Sequence, residues 1–483
     1  MHFFKKNYGL FIILILSFWA IQPFLIPGFF PMHDDTQVAR VFEMKKVLQS
    51  GVFPVRSVPD LGYGYGYPIF NFYAPLSYYI GAAFVFFGFD ALIATKIMMA
   101  IGIILAGISM YLLARKFFGE FGGVVSGLFY LYAPYHAVDI YVRGDVAEFW
   151  AYAFIPLIFL GFYRRNILLG AIGFAGLILS HNLTAMMITP FLLITVLLSS
   201  YVAPEGQKLL VIYRLLLIAF FGLAISAFYW IPALAEMKYT NVLSQIGDGA
   251  DFRDHFVCTG QLWDSLWGFG GSVAGCIDGL SFKIGKLHIL ASIAAFIFML
   301  CFRRIRKSKD GAIIFLSFLG FFISVFLTLE VSKPIWEAIP TMAFFQYPWR
   351  FLILVSFFSS LLVGSLAFSL KEFSFRFYLV VLPLVFFLLF FNLKLFTPQT
   401  ILLKTVGDYT NEMTLKWTVS RISDEYLPPN FNKPMNQKDV YRGKSNIRAQ
   451  ETPIEKISNA VSIIGLLTLA LGIILFKGKV QYE

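Results

Sequence analysis

The sequence predicts an all-α polytopic membrane protein, and three observations carry that expectation. Of 483 residues, 58% are hydrophobic and only 14% charged, with a mean hydropathy of +0.73; an ordinary soluble domain carries about 25% charged residues. Apolar runs approaching the ~20 residues needed to cross a hydrocarbon core recur along the whole chain. The basic residues between them fall in short connections that alternate with longer, polar ones, as the positive-inside rule requires.

The first run, 10–26, follows Lys5 and Lys6 and lacks a small-x-small cleavage site, so it is expected to stay as an uncleaved anchor. Further runs at 92–114, 121–133, 148–163, 166–180, 183–200, 209–231, 287–302, 311–329, 349–370, 375–396 and 457–476 bring the expectation to about twelve transmembrane helices. The stretch 76–88 is short for a span at 13 residues and suits an interfacial or re-entrant helix. Charge supports leaving it outside the count. Lys5 and Lys6, Arg115 and Lys116, Arg164 and Arg165, Lys208, the basic stretch 303–309, Lys371 with Arg376, and Lys477 with Lys479 then share one side. The expected protein is thus multi-pass in the plasma membrane with both termini cytoplasmic.

The outer face receives 28–91, 134–147, 232–286, 330–348 and 397–456. The net charge of +11 is then topological, and no nucleic-acid partner is implied. The expected organisation is a transmembrane domain over 1–396, an outer cap segment over 397–456, irregular or partly β, and a final helix with cytoplasmic tail over 457–483. Cys258 and Cys276 share one long polar segment and can pair if it faces an oxidising side. Cys301 ends an apolar run and reads as a small buried hydrophobe.

The chemistry-bearing residues gather in the outer segments. Asp34 and Asp35 follow the first span with His33 beside them; adjacent carboxylates repel, which suits binding a cation, a proton or a cationic group. Behind them, 36–50 has helical apolar spacing with Thr36 as N-cap, an amphipathic surface helix holding the pair still. Between two later spans, Asp139, Arg143, Asp145 and Glu148 crowd together with His136. Asp145 and Glu148 share a helix face, and Arg143 either answers a carboxylate or binds a phosphate. The alternative is a self-neutralised turn.

His181 and Asn182 interrupt a long apolar stretch and need a polar cavity or partners. Gln346 and Arg350, in Phe345-Gln-Tyr-Pro-Trp-Arg350, open another span as an interfacial anchor or an anion clamp. Tyr67 and Tyr73 lie in a Gly- and Tyr-rich outer stretch whose default is an interfacial belt and whose functional reading is a sugar-stacking surface. No Gly-x-x-x-x-Gly-Lys loop is present, so nucleotide hydrolysis is not expected.

The acidic pair, the helix after it, the aromatic stretch 68–79 and the Arg143…Glu148 spacing resemble the type C glycosyltransferases. More closely, Gly66-Tyr-Pro-Ile-Phe, the stretch 141–151, Ser180-His-Asn-Leu-Thr-Ala and Phe345-Gln-Tyr-Pro-Trp-Arg350 resemble the bacterial membrane-protein family labelled 6-pyruvoyl-tetrahydropterin synthase-related. The label implies no pterin chemistry here, because the six histidines are scattered.

The resemblance to type C enzymes implies inverting sugar transfer on the outer face, from a polyprenyl-phosphate-linked donor to a glycan, lipid or protein acceptor. Asp34 or Asp35 would act as general base or hold a divalent cation, magnesium or manganese. Arg350, with Arg143, would stabilise the leaving phosphate. Glu148 would position the acceptor or metal, and His181 with Asn182 would bind sugar hydroxyls. His33, Tyr67, Tyr73, Asp139, Asp145 and Gln346 complete the expected substrate-binding set. Where that class often has Asp, this chain has Glu148, so Asp139 or Asp145 is an alternative second site. The rival readings are a transporter or flippase of a lipid-linked glycan and a non-catalytic assembly subunit.

Overall fold

A computed structural model describes residues 7–247, 250–373, 376–443, 445 and 450–476. The terminal lysines Lys5, Lys6, Lys477 and Lys479 lie outside the described residues. The principal helices, in chain order, are α1 (Tyr8–Leu16), α2 (Gln37–Gln49), α3 (Leu76–Phe86), α4 (Ala91–Leu131), α5 (Val146–Arg164), α6 (Ile167–Ser180) and α7 (Asn182–Val202). They continue as α8 (Lys208–Ile225), α9 (Ala227–Glu236), α10 (Lys286–Cys301), α11 (Lys309–Thr328), α12 (Leu352–Phe373), α13 (Tyr378–Asn392) and α14 (Pro453–Phe476).

Among the described residues, nine helical stretches are long and apolar enough to cross a membrane. The difference from about twelve expected spans has local causes. The runs 92–114 and 121–133 are counted together as α4, but helical geometry breaks at Gly119, where φ is 68°. The second run packs back against the first: a Cβ added at Gly127 would lie 3.0 Å from the Gly107 carbonyl, so the two runs are separate helices of a hairpin. Helices α6 and α10 have 14 and 16 residues, under the length of a full perpendicular crossing. Helix α3 has 11 residues, about 16 Å at 1.5 Å per residue, roughly half a hydrocarbon core. No sheet occurs among the described residues; the strand-like contacts are isolated bridges such as Phe29 with Leu402. The described residues of 397–452 take the irregular form, with short helical turns at Val406–Thr410, Thr414–Val419 and Ser420–Ile422.

The chain packs as two units, each assembled from three separated stretches. The first comprises Met1–Asp34, Met99–Pro156 and Gln245–Leu403. Helix α12 lies deepest in it, and α10 and α11 pack along it. Small residues let α4 and α12 approach: a Cβ added at Gly364 would sit 1.9 Å from the Ser126 hydroxyl and 2.7 Å from the Gly122 carbonyl. In this unit Cys258 and Cys276 form a disulfide, and Cys301 is exposed at the end of α10, against the expectation of burial.

The second unit comprises Asp35–Met98, Leu157–Ser244 and Lys404–Glu483. Here α6 packs on α8, α14 on α8 and α9, and α2 on α3. Helix α2 is buried more deeply than an interfacial helix requires, with Arg40 and Glu43 buried among Val38, Val41, Met44 and Val47. Thr36 takes the N-cap position, but its side chain makes no capping bond; its carbonyl instead accepts the Arg40 N–H.

Glu43 is fully buried, with Oε2 accepting the Asp60 N–H at 3.0 Å and Lys46 paired to the Asp60 carboxylate. Burial pushes its pKa from 4.5 to about 8; repulsion from Asp60 adds to the shift, while the Asp60 N–H and Lys46 oppose it. A carboxyl raised on folding stabilises fully below its unfolded pKa, and that contribution is lost as pH rises through the folded value. The thermal midpoint in detergent is therefore expected to fall between about pH 4.5 and pH 8, and Glu43→Gln should flatten that fall. An unchanged slope in the variant would refute the assignment.

Candidate functional site: a guanidinium among three carboxylates

In the first unit, the link from α4 to α5 makes a helical turn at Pro134–Val138 and a wider π-turn at Asp139–Arg143. Gly144 closes it at φ 65°, ψ 24°, and its left-handed conformation lets the Asp145 N–H reach back to the Asp139 carbonyl at 3.0 Å. That reversal also suits Gly sterically, since a Cβ there would lie 2.0 Å from the Met32 sulfur. Asp145 then starts α5 as its cap, Oδ1 accepting the Glu148 N–H at 3.0 Å. One reversal thus places Asp139, Arg143, Asp145 and Glu148 around a common point.

Arg143 is the hub. Its Nη1 donates to Asp139, to Glu148 Oε2 at 2.7 Å and to the Tyr135 hydroxyl at 3.1 Å. Its Nη2 donates to Asp145 Oδ2 at 2.7 Å. The Tyr135 hydroxyl donates to Glu148 Oε1 at 2.7 Å, and the Trp349 ring lies 4.7 Å from the guanidinium carbon. Arg350 adds a second cation, its Nε 3.5 Å from Glu148 Oε2. Arg350 Nη1 donates to the Phe345 carbonyl at 2.9 Å and to Gln346 Oε1 at 2.8 Å. Gln346 sits at φ 62°, ψ −49°, a conformation disfavoured for any residue with a Cβ.

Burial governs the electrostatics. Asp139 is completely buried, and burial pushes its carboxyl well above the usual range, with Glu148 adding repulsion and Arg143 pulling the other way. Burial alone would lower the Arg143 guanidinium, but Glu148, Tyr135, Asp139 and Asp145 outweigh it and hold the group charged. Burial takes the neighbouring His136 down to about 4, so it is neutral at physiological pH. Its Nδ1 lies 2.9 Å from the Leu131 carbonyl and its ring stacks on Tyr152 at 4.1 Å. Around the turn, Phe24, Phe30 and Phe396 pack on Tyr141, whose hydroxyl donates to the Ala20 carbonyl at 2.5 Å.

The first unit also carries His33 and Asp34. The His33 and Asp34 N–H groups donate to the Val142 and Arg143 carbonyls at 3.1 and 2.9 Å, so this backbone runs alongside the Arg143 turn. The exposed His33 ring reaches the Phe269 carbonyl at 3.0 Å. Asp35, Tyr67, Tyr73, His181 and Asn182 belong to the second unit. Asp35 is half-buried; burial raises its carboxyl, with Lys404 opposing. Tyr67 is buried against Tyr426, so it forms neither an interfacial belt nor an open stacking face. The Arg40 guanidinium carbon lies 4.3 Å from the centre of the Tyr73 ring. His181 Nδ1 meets the Thr184 hydroxyl at 2.7 Å, and Asn182 Oδ1 accepts the Leu183 N–H at 2.9 Å.

Chemically, Arg143 spends both terminal nitrogens on protein groups, which favours the self-neutralised turn over a phosphate clamp. Carboxylate oxygens of Asp145 and Glu148 approach within 4.8 Å and are of the type that holds a hard cation, but Arg143 already engages both. Tyr135 and Trp349 are the partners that sequence reasoning missed. Their signal was the aromatic beside each charged motif, in Ala133-Pro-Tyr135-His136 and Tyr347-Pro-Trp349-Arg350.

Two substitutions test the construction. Gly144→Ala is expected to cost on the order of 2 kcal/mol from left-handed strain and the Met32 clash, with Met32→Ala recovering only part. Arg143→Met strands three carboxylates and should cost about 3–5 kcal/mol. Denaturation midpoints in detergent measure both, and a neutral Gly144→Ala would show that the reversal is not required.

The fold resembles that of the Archaeoglobus fulgidus oligosaccharyltransferase tethered to an acceptor peptide, with TM-score 0.51 and 14% identity over 92% of this chain and 61% of that one. ArnT from Cupriavidus metallidurans, solved with undecaprenyl phosphate, matches at TM-score 0.36 and 12% identity, over 87% and 88% of the two chains. A protein of Lactococcus lactis subsp. cremoris is 25% identical over 254 residues, 49% of this chain and 41% of that protein. This chain thus spans less than two thirds of the length of the Archaeoglobus and Lactococcus proteins. The sequence model of the 6-pyruvoyl-tetrahydropterin synthase related domain, a membrane-protein family, matches residues 70–397, and by that match the chain belongs to this family.

Proposed function

We propose that this protein is a membrane glycosyltransferase that moves a sugar from a polyprenyl-phosphate-linked donor to an acceptor on the outer face. The observation that carries the reading is the buried Arg143–Glu148–Arg350 arrangement at the head of a span, in a fold like that of an oligosaccharyltransferase. Charges at such a depth are expensive and are usually retained for function. The strained Gln346 that supports Arg350 points the same way, since such strain concentrates at working sites. Fold likeness adds analogy only.

In the proposed reaction the acceptor hydroxyl oxygen bonds to the anomeric carbon as the bond from that carbon to the phosphate oxygen breaks. The hydroxyl proton passes to a carboxylate, and the polyprenyl phosphate leaves with the bonding pair. Asp35 is taken as the base, its carboxyl raised by burial with Lys404 opposing. Arg350 stabilises the leaving phosphate, while Arg143 holds Glu148 and Asp145 in place. Glu148 positions the acceptor, and His181 with Asn182 is assigned to sugar hydroxyls. A divalent cation, if the reaction uses one, would draw on Asp34, Asp35 or Glu148 and would supply charge neutralisation at the phosphate.

Two features support the outer-face reading: the basic connections and the Cys258–Cys276 disulfide, which suits an oxidising side. Labelling of single cysteines introduced at Gly62 and at Lys307 should occur from opposite sides of the membrane; labelling from the same side would refute this topology.

In proteoliposomes supplied with polyprenyl-phosphate sugars, Asp35→Asn and Glu148→Gln are each expected to reduce transfer about 100-fold or more. A general base works only when deprotonated, so wild-type transfer should decline on acidification through an Asp35 pKa that burial raises. Normal transfer by both variants would sink the site assignment. Carrier movement between leaflets without transfer would favour a flippase.

A further inference from the structure

The second unit contains a cavity of about 660 Å³ lined by Phe53, Arg56, Ser57, Glu451, Glu455 and Lys456, among others. Its volume falls within the range typical of small-molecule sites. None of these residues belongs to the Arg143 cluster, and the transferase chemistry uses none of them.

The floor of the cavity is preorganised. Arg56 is buried; Nη1 donates to Asn71 Oδ1 at 3.1 Å and to the Phe228 carbonyl at 2.8 Å, and Nη2 donates to Asn459 Oδ1 at 2.8 Å. Its Nε lies 3.6 Å from Glu455 Oε1. Glu455 and Thr452 cap the start of α14 reciprocally: the Glu455 N–H donates to Thr452 Oγ1 at 3.2 Å and the Thr452 N–H to Glu455 Oε2 at 2.5 Å. Asn459 also donates to Glu451 Oε1 at 2.6 Å, which fixes that carboxylate from behind. These groups need no ligand to hold their positions.

The rim differs. Phe53 is 71% exposed, and its ring is held 5.7 Å from that of Tyr79, whose hydroxyl accepts the Val55 N–H at 2.8 Å. Lys456 is exposed and Glu451 and Ser57 are half-buried. The cavity therefore combines an exposed flat aromatic ring with a carboxylate, an ammonium and a hydroxyl.

Ligand chemistry follows by elimination. An anion such as phosphate would meet Glu451 and Glu455 beside Arg56, and a bare metal cation would meet Arg56 and Lys456. A wholly apolar ligand would strip water from charged groups without replacing their hydrogen bonds. A neutral polyhydroxylated ring both donates and accepts, and presents a C–H face to an aromatic side chain. We propose that this cavity is a pyranose-binding site, with one sugar face on Phe53 and its hydroxyls on Glu451, Lys456 and Ser57.

The test uses the full chain in nanodiscs and saturation-transfer NMR with four probes: the methyl glycosides of glucose, galactose, mannose and N-acetylglucosamine. At least one is expected to receive saturation, and Phe53→Ala and Glu451→Gln should each reduce it roughly fivefold or more. Phe53 is exposed, so its truncation should leave the thermal midpoint unchanged. Arg350→Gln, in the transfer machinery, should leave glycoside binding intact, so failure of the transferase reading and failure of this one can be told apart. Competition by monoglucosyl diacylglycerol in the nanodisc would identify a lipid-borne sugar; binding without such competition would identify a glycan arriving from solvent, and either sustains the site. No transfer to any of the four glycosides, or equal transfer in wild type and both variants, would overturn it.

Discussion

The first unit depends on one guanidinium. Arg143 sits where water is excluded, and it meets three carboxylates that could not be brought together without it. Each carboxylate would carry a desolvation cost of several kcal/mol at this depth. Arg suits the position because a planar fork offers several fixed donors at once, which a lysine ammonium cannot reproduce. The rest follows from keeping that fork satisfied. Gly144 turns the chain so that Asp145 and Glu148 come back onto it, Tyr135 bridges it to Glu148, and Trp349 covers its face.

The second unit repeats the principle with different partners. Arg40 is buried in α2 and donates to the Tyr78 hydroxyl at 3.3 Å and to Ser423 Oγ at 3.1 Å, beside the Tyr73 ring. Arg56 is answered mainly by amides and a carbonyl. Arg40 therefore joins the α2–α3 region to the segment after α13, and Arg56 ties the loop after α2 to α14. In a chain with so few charges, buried guanidiniums act as cross-links between stretches distant in sequence, where apolar packing alone would specify register poorly.

Much of the helical framework was legible because hydropathy measures the solvent that each segment prefers, and a bilayer imposes that preference without regard to tertiary detail. The density of charge from Asp139 to Glu148 was legible for the same reason, being costly anywhere near a span. What sequence could not show was partner choice. Thr36 has the right residue type to cap α2, yet its buried hydroxyl makes no capping bond. Tyr67 reads as an interfacial ring but is buried under Tyr426, because the segment that covers it lies some 350 residues later. Asp34 and Asp35 read as one pair, whereas their neighbours fall in different packing units. Cavities are the hardest to foresee: the one beside Phe53 is made by the loop after α2 and the start of α14 with the residues just before it, nearly 400 residues apart.

The compactness in sequence of the Arg143 turn bears on how the chain is made. Asp139, Asp145 and Glu148 all lie within five residues of Arg143, whereas Arg350 emerges only after some two hundred more have been synthesised. A nascent segment carrying three unpaired acids would be a poor substrate for insertion into lipid. Because one counter-charge arrives in the same ten residues, the segment enters with its acids already sharing a guanidinium, and Arg350 adds the second cation later. The order of the residues along the ribosomal exit path is thus as consequential as their final geometry.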